Sequence, residues 1–162
     1  ADAVRLLLIY GSNADNDLNL GMDKIRGMRN FTNKIWNASR FVLDFYEGSN
    51  HSDGKTPKKE EFNQEILDKL DELFISTTNN FEKRNFTAAI NDLYEFFWHH
   101  FCDKYLELAK PEREKFQPTL EYVLGAQLKL LHPITPFITE EIWSKLPYSS
   151  TKIIIAPWQN EK

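Results

Sequence analysis

The chain has 162 residues and is 41% hydrophobic and 14% aromatic, a composition that can bury a core and excludes wholesale disorder. Its net charge of −4 excludes a uniformly basic nucleic-acid-binding protein, although not a local basic stripe. No apolar run approaches the roughly 20 residues that a membrane-spanning helix needs, so we expect no membrane-spanning segment.

The first two predicted helices are separated by a polar loop. Residues 2–10 form a short apolar helix that ends at Gly11, and the loop runs to about Asn19. Between Met22 and Glu47 no proline interrupts the chain, Gly48 follows, and apolar residues recur at helical spacing. One long helix is therefore predicted here, with an apolar side formed by Ile25, Met28, Phe31, Ile35, Ala38, Val42 and Phe45.

Two further helices follow a polar loop over residues 48–56, which contains no core-forming residue. Thr56 and Pro57 are a favourable N-cap and first-turn pair, which predicts a third helix over residues 57–84. Asn85 is a second N-cap and predicts a fourth helix to about Ala109. The apolar stripes of these two helices are Phe62, Ile66, Leu70, Leu73, Thr77 and Phe81, and then Phe86, Ile90, Leu93, Phe97, Phe101, Tyr105 and Leu108.

The last third of the chain predicts two more helices and a tail. A fifth helix runs from Pro118 to Leu131, and a short sixth helix starts at Pro136 and ends near Leu146. Residues 148–162 are predicted as an extended C-terminal segment. With only 6 glycines and 7 prolines in the whole chain, we predict an all-α fold: an antiparallel helical bundle with short flanking helices.

Neither end of the sequence reads as the boundary of a complete protein. The chain begins Ala1-Asp2-Ala3-Val4-Arg5 without an initiator Met, and it stops soon after Trp158. We therefore expect it to be a fragment of a larger polypeptide whose chemistry lies partly outside it.

The sequence carries no clear metal site or catalytic group. His99, His100, Cys102 and Asp103 lie together on the fourth helix, but a tetrahedral zinc site needs four converging ligands and no second Cys/His cluster exists. Cys102 is the single cysteine, which excludes an internal disulfide framework and is typical of a reducing compartment. No glycine-rich phosphate loop and no Gly-x-Ser-x-Gly motif is present. We therefore expect no metal, no cofactor and no active site within this chain.

One stretch departs from the acidic background. Residues 24–40 contain five Lys or Arg and no acid, so the rest of the chain carries −9 within a total of −4. At ~100° per residue, a polar face roughly 80° wide lies opposite the apolar side of the second helix, formed by Arg26, Arg29, Asn33, Asn37 and Arg40. Guanidinium groups pair with phosphate or stack on bases, and amides read base edges, so this face suits RNA. Spacing alone favours the simpler alternative, in which these side chains make polar contacts with neighbouring helices or are solvated.

Three segments match one family pattern in order and spacing. They are RNFTNKIWNASRF (residues 29–41), LYEFFWHHFCDKYLE (residues 93–107) and LHPITPFITEEIW (residues 131–143), and all three closely resemble valyl-tRNA synthetases. The opening ADAVR also resembles the segment that follows the Lys-Met-Ser-Lys-Ser loop of that family. The resemblance covers nearly the whole chain, with a variable loop at residues 48–59.

The resemblance implies the α-helical anticodon-binding domain of a class I aminoacyl-tRNA synthetase. It implies that residues 1–20 end the stem-contact segment, that residues 21–147 form the anticodon-binding domain, and that residues 148–162 lead to a missing region. The family joins valine to its tRNA using ATP with magnesium. The His-Ile-Gly-His and Lys-Met-Ser-Lys-Ser signatures that hold ATP are absent from this sequence, so this fragment is expected to be non-catalytic.

Under this resemblance the expected partner is valine-accepting tRNA, bound by a monomeric, cytoplasmic enzyme. Six tRNA-binding residues are predicted on the second helix: Lys24 and Arg26 for phosphates, and Arg29, Asn33, Asn37 and Arg40 for the anticodon loop. Asn33 and Asn37 serve equally well as hydrogen-bonding groups between helices at this stage. Trp36 and Trp98 are predicted to pack in the core.

Two alternatives stay open. One is the same domain of an isoleucyl- or leucyl-tRNA synthetase, which shares the fold. The other is a helical protein-interaction module whose aromatic surface binds a partner helix.

Overall fold

The computed structural model describes residues 1–10, 21–44 and 51–158. Its helices are α1 (Asp2–Tyr10), α2 (Met22–Leu43), α3 (Gln64–Glu82), α4 (Phe86–Glu95), a π-helical segment (Phe96–Leu106), α5 (Glu107–Ala109), α6 (Arg113–Leu131) and α7 (Pro136–Trp143). Two 3₁₀ turns lie at Lys110–Glu112 and Ile153–Ile155. The all-α prediction is confirmed for these residues. The predicted loop to Asn19 and the predicted helix end at Glu47 and Gly48 lie outside them.

The main helices form an antiparallel bundle of the predicted kind. Asn80 near the end of α3 donates to Asp92 in α4 (Nδ2–Oδ2 3.1 Å), whereas Glu65 near the start of α3 pairs with Lys104 in the π-helical segment, so these two rods run in opposite directions. The Arg113 guanidinium at the start of α6 lies over the Phe41 ring near the end of α2, which makes α2 and α6 antiparallel as well.

Aromatic side chains fill the centre between α2 and the rod formed by α4 and the π-helical segment. Phe31 is 1% exposed, and its ring centroid lies 4.8 Å from that of Tyr94 and 6.0 Å from that of Phe97. Phe97 and Phe101 are fully buried. The predicted stripe of the fourth helix is wrong at its two ends, because Phe86 is 44% and Leu108 57% exposed where the rod extends past the core.

The third and fifth helices do not begin where the sequence predicts. α3 begins seven residues after Pro57, because the Asn63 side chain ties a turn together: its Oδ1 accepts from the Glu60 N–H (2.7 Å) and its Nδ2 donates to the Lys58 carbonyl (3.1 Å). The hydroxyl of Thr56 bonds Tyr122 instead of capping a helix (3.0 Å). α6 begins at Arg113, before Pro118, because Phe116 in this extra turn is buried.

The loop before α3 is anchored to a buried carboxylate. Glu121 in α6 is 1% exposed and accepts hydrogen bonds from the Ser52 N–H (2.7 Å) and the Gln117 amide (2.8 Å), and its second contact in the loop is the His51 imidazole (2.8 Å). Ser52 is itself buried, so the loop is anchored to the bundle although none of its described residues belongs to the hydrophobic core.

The flanking elements close the end of the bundle where α6 stops. Arg5 in α1 donates to the Ile134 carbonyl (2.9 Å), and the Asp2 carboxylate accepts from the Ile138 N–H at the start of α7 (2.7 Å). Ile153–Ile155 forms a 3₁₀ turn where extended chain was predicted, because Ile153 is buried and its N–H bonds Glu140 (3.3 Å). No described helix combines the length and the apolar character that crossing a bilayer requires.

Candidate nucleic-acid interface

The rotation of α2 is fixed by its apolar side. Ile35 and Val42 are fully buried, and Phe31 is almost so. These three residues recur at intervals of four and seven, so they lie on one side of the helix and hold it against α6 and the π-helical segment. The opposite side of α2 therefore faces away from the core.

The five polar residues predicted on that outward side are all exposed: Arg26, Arg29, Asn33, Asn37 and Arg40. They extend over four turns of helix, or about 21 Å at 1.5 Å per residue. Of these five residues, only Arg26 has an ion-pair partner in the described part of the chain, Asp23 at 3.6 Å. That pair is exposed on both sides (66% and 97%), so it competes only weakly with a phosphate.

The guanidinium and amide groups of the other four residues make no hydrogen bond or ion pair to any described part of the chain. Asn33 and Asn37 therefore have no hydrogen-bond partner on a neighbouring helix within the described residues. The outward orientation follows from the helical period, but the role of these groups in RNA binding stays a prediction.

Lys24 and Lys34 do not join this face. Lys24 is exposed, but it lies about 160° around the helix from Arg26, on the side that becomes the core side further along α2. Lys34 pairs with Asp103 (3.1 Å) and lies 4.7 Å from the centroid of the Trp98 ring. Of the predicted phosphate contacts, the structure therefore brings Arg26 together with the base-contact candidates and leaves Lys24 apart.

Two cations from other helices lie beside the outward face. The Arg113 guanidinium from α6 lies 4.1 Å from the Phe41 ring centroid, and it also donates to the Phe41 carbonyl. Lys145, just after α7, lies 5.7 Å from the centroid of the Trp36 ring and pairs with Glu141. Sequence reasoning missed both, because no local pattern says which helix packs beside α2.

Trp36 and Trp98 pack against the core, as predicted, and each remains half-buried. The Trp98 ring stacks on Tyr94 with centroids 5.3 Å apart and planes at 23°. Around α2, Trp36 lies about 20° from Arg29 and 40° from Arg40, so its accessible edge borders the outward face.

The histidine and cysteine residues of the π-helical segment have structural surroundings. His99 contacts Asp103 (3.2 Å) and Glu95 (3.9 Å) on its own rod. Burial raises the pKa of the Cys102 thiol to about 12, so it stays protonated and is a poor nucleophile near neutral pH. In the part of the chain that is described, no group of three or more His, Cys, Asp or Glu residues is placed to hold a metal ion.

The chemistry that this surface offers is electrostatic and hydrogen-bonding. Arginine presents a planar fork of donors that matches phosphate and stacks on bases, and asparagine presents both a donor and an acceptor to a base edge. Helical spacing repeats these groups along α2, which suits a ligand that carries several anionic and planar units in a row. A polynucleotide is such a ligand.

Several curated proteins are similar to this chain along almost its whole length. Valine–tRNA ligases of Carboxydothermus hydrogenoformans and Bacillus cereus are 40% and 41% identical over 165 and 167 aligned residues. The enzyme of Listeria monocytogenes is 38% identical over 167 residues. Each alignment covers 98% of this chain and 19% of the relative, so the chain spans about a fifth of the length of these relatives.

Solved structures and a family model agree on the fold class. A chain from the ternary complex of Agrobacterium radiobacter K84 agnB2 LeuRS, tRNA and LeuAMS superimposes with a TM-score of 0.75 at 23% identity. That superposition covers 98% of this chain and 19% of the other. The family model described as the anticodon-binding domain of tRNA ligase matches residues 63–162, which is more than half of the chain. The chain therefore belongs to the family of anticodon-binding domains of tRNA ligases.

Proposed function

We propose that this chain binds the anticodon stem-loop of a valine-accepting tRNA through the outward side of α2. The observation that carries the proposal is the exposed face formed by Arg26, Arg29, Asn33, Asn37 and Arg40. This face lies in a stretch without acids, in a protein that is otherwise acidic. The family membership and the similarity to valine–tRNA ligases support the same conclusion.

In this proposal each part of the face has its own task. Arg26 binds phosphate after releasing Asp23, an exchange that costs little because both groups are exposed. Arg29 and Arg40 stack on or pair with unstacked loop nucleotides, and Asn33 and Asn37 read base edges. Lys24 contacts a phosphate only if the bound RNA extends around α2 to the side on which Lys24 lies.

We further propose that the longer protein is a valine–tRNA ligase that joins valine to tRNA using ATP with magnesium. The sequence contains neither ATP-holding signature of the family, so in this proposal the residues that hold ATP lie elsewhere in the longer protein. The task of the residues in this chain is to recognise RNA. The division at residues 1–20, 21–147 and 148–162, the monomeric state and the cytoplasmic location belong to this proposal.

Titration with labelled stem-loops tests the proposal. Fluorescence anisotropy would compare the valine anticodon stem-loop with the same stem-loop carrying a swapped anticodon, and we expect at least tenfold weaker binding of the swapped RNA. Equal affinity for both would contradict anticodon recognition and leave only general adhesion to RNA. Preference for an isoleucine or leucine anticodon would reassign the specificity, and no binding to any stem-loop would contradict RNA recognition.

A pair of arginine variants tests whether α2 is the surface involved. Arg40→Gln removes one charge from the outward face, and we expect at least fivefold weaker binding with unchanged thermal stability. Arg84→Gln removes one charge from the exposed α3–α4 connection and serves as the matched control. An equal loss of affinity in both variants would show that only the overall charge matters.

A further inference from the structure

A second basic site lies at the end of the bundle, apart from the outward face of α2. Here the end of α6, the start of α7 and α1 meet the C-terminal segment around a cavity of about 420 Å³. Cavities of roughly 300–1,000 Å³ are typical of small-molecule sites in proteins. Its size therefore suits a ligand larger than a simple inorganic ion.

Three basic side chains line this cavity: Arg5 from α1, Lys129 from the last turn of α6, and His132 directly after α6. The Arg5 guanidinium is held by two carbonyl oxygens, those of Ile134 (Nε–O 2.9 Å) and Pro133 (Nη2–O 3.3 Å). Its remaining nitrogen, Nη1, has no part in these bonds. The side chain is therefore fixed in place with donor capacity to spare.

Lys129 brings a cation into a largely dry position. It is 7% exposed, and its ammonium lies 5.6 Å from the centroid of the Trp143 ring. Burial lowers the pKa of Lys129 below its ordinary value, because a buried position disfavours the charged ammonium. An anion in the cavity would stabilise the charged form more strongly than it does on an open surface.

The hydrogen bonds around His132 fix which ring nitrogen carries a proton. The Thr139 hydroxyl donates to the Thr135 carbonyl (2.7 Å), so it acts as the acceptor toward His132 Nδ1 (2.8 Å). Nδ1 then holds the hydrogen, so in the neutral ring Nε2 is an acceptor and can donate to an anion only after protonation, which burial opposes by lowering the pKa of His132. The imidazole is thereby oriented by the protein, as a ligand-binding group needs to be.

The remaining wall is apolar and includes one indole. Trp158 lines the cavity, and its position is fixed by donation from Nε1 to the Thr78 hydroxyl (3.0 Å) and by contact with the Phe81 ring (centroids 5.9 Å apart). No carboxylate is among the described residues of the lining. Among the described residues, two acids lie near His132: Asp2 accepts through Oδ2 from the Ile138 N–H while its Oδ1 has no hydrogen-bond partner there, and Glu140 accepts from the Ile153 N–H.

We propose that this cavity binds a nucleotide, with its phosphate at Arg5 and Lys129 and its sugar and base against the wall around Trp158. Two cationic donors and an apolar lining that includes an aromatic ring match the two halves of a nucleotide. The ligand is either a free nucleotide or one nucleotide within an RNA chain, since both present the same phosphate and base. The α2 proposal is independent of this site.

Calorimetry and NMR on the whole chain test this proposal with uridine 5′-monophosphate, uridine, inorganic phosphate and a uridine pentaribonucleotide. We expect saturable binding of the monophosphate or the pentamer, with a shift of the Trp158 indole N–H signal and at least tenfold weaker binding of uridine. Binding of the monophosphate identifies a free nucleotide as sufficient, whereas binding of the pentamer alone, with the shift of the Trp158 signal, assigns the site to RNA. The absence of saturable binding by either would overturn the proposal.

Variants separate the cavity from general charge. Lys129→Met and Arg5→Gln should each weaken binding at least tenfold. Arg5 is exposed, so its replacement keeps the test decisive even if the buried lysine variant fails to fold. Lys152→Met removes an exposed charge from the same segment outside the cavity and should leave nucleotide affinity within twofold. Equal losses in Lys152→Met and Arg5→Gln would overturn the proposal.

Discussion

Two neighbouring positions on α2 should separate folding from binding. Ile35 is 0% exposed, so Ile35→Ala removes three buried carbon atoms, worth about 2.4 kcal/mol at ~0.8 kcal/mol each. The unfilled space left behind raises the expected loss to about 3 kcal/mol of unfolding free energy. Asn37 is exposed and has no side-chain partner in the described residues, so Asn37→Ala should change stability by less than about 0.5 kcal/mol.

Urea denaturation followed by circular dichroism measures both stabilities, and anisotropy with the valine anticodon stem-loop measures affinity. The expected pattern is a strongly destabilised Ile35→Ala protein and a stable Asn37→Ala protein that binds RNA at least threefold more weakly. A destabilisation of more than about 1.5 kcal/mol by Asn37→Ala would show that the asparagine is a structural group, which would refute the assignment of the outward face. Unchanged stability of Ile35→Ala would refute the packing of α2.

Three further predictions concern the packing and burial of particular side chains. Gly125→Ala should destabilise the protein by about 2 kcal/mol, because a Cβ at this position overlaps the Tyr148 hydroxyl. Gly27→Ala should instead stabilise the exposed part of α2 by up to about 1 kcal/mol, because its Cβ meets no atom within 4 Å. Thermal melts of the two variants test whether their stabilities change in opposite directions. Trp98→Ala should cost about 2 kcal/mol in urea titrations, below the roughly 3–5 kcal/mol of a fully buried ring, because the indole is half-buried. Burial raises the pKa of the Cys102 thiol from 9.0 to about 12, so between pH 9 and 12 the thiol ionises only in the unfolded chain. As the pH rises through this range, the unfolding free energy of the wild-type protein should fall by about 1.4 kcal/mol per pH unit more steeply than that of Cys102→Ala. Parallel slopes of the two proteins above pH 9 would contradict the burial of this thiol.

The rotation of α2 was predictable because it depends on local information. A helix that must bury Phe31, Ile35 and Val42 can present only the opposite residues to solvent, and the 3.6-residue period says which they are. The same period places Lys24 apart from the outward face, a consequence that the charge count alone does not reveal. Helix type and order followed from equally local signals, such as the N-cap Asn85, which accepts from the Ala88 N–H.

Helix starts were predicted less well because competing partners decide them. Thr56 and Pro57 form a good cap in isolation, but the Thr56 hydroxyl is used by Tyr122, which is distant in sequence. Asn63 then fixes the turn before α3 through the backbone of Lys58 and Glu60. In α6 the burial of Phe116 adds a turn before the proline, an outcome of tertiary packing that outweighs local preference.

The cations beside the outward face were not predictable from the sequence. Arg113 and Lys145 reach the rings of Phe41 and Trp36 only because α6 and the end of α7 pack beside α2. Arg113 stands between two glutamates and Lys145 lies four residues after Glu141, so neither forms part of a basic run. The cavity lined by Arg5 and Lys129 has the same origin, since its two cations are brought together by the fold alone.

The salt dependence of stem-loop binding tests the RNA-binding role of α2 most directly. Each phosphate contact that is lost should flatten the plot of log affinity against log salt by roughly 0.7–0.9 units. For Arg26→Gln, which removes the proposed phosphate contact, we predict weaker binding and a slope that is shallower by roughly 0.7–0.9 units, with Arg84→Gln unchanged. An identical slope and affinity in the wild-type protein and Arg26→Gln would contradict the account.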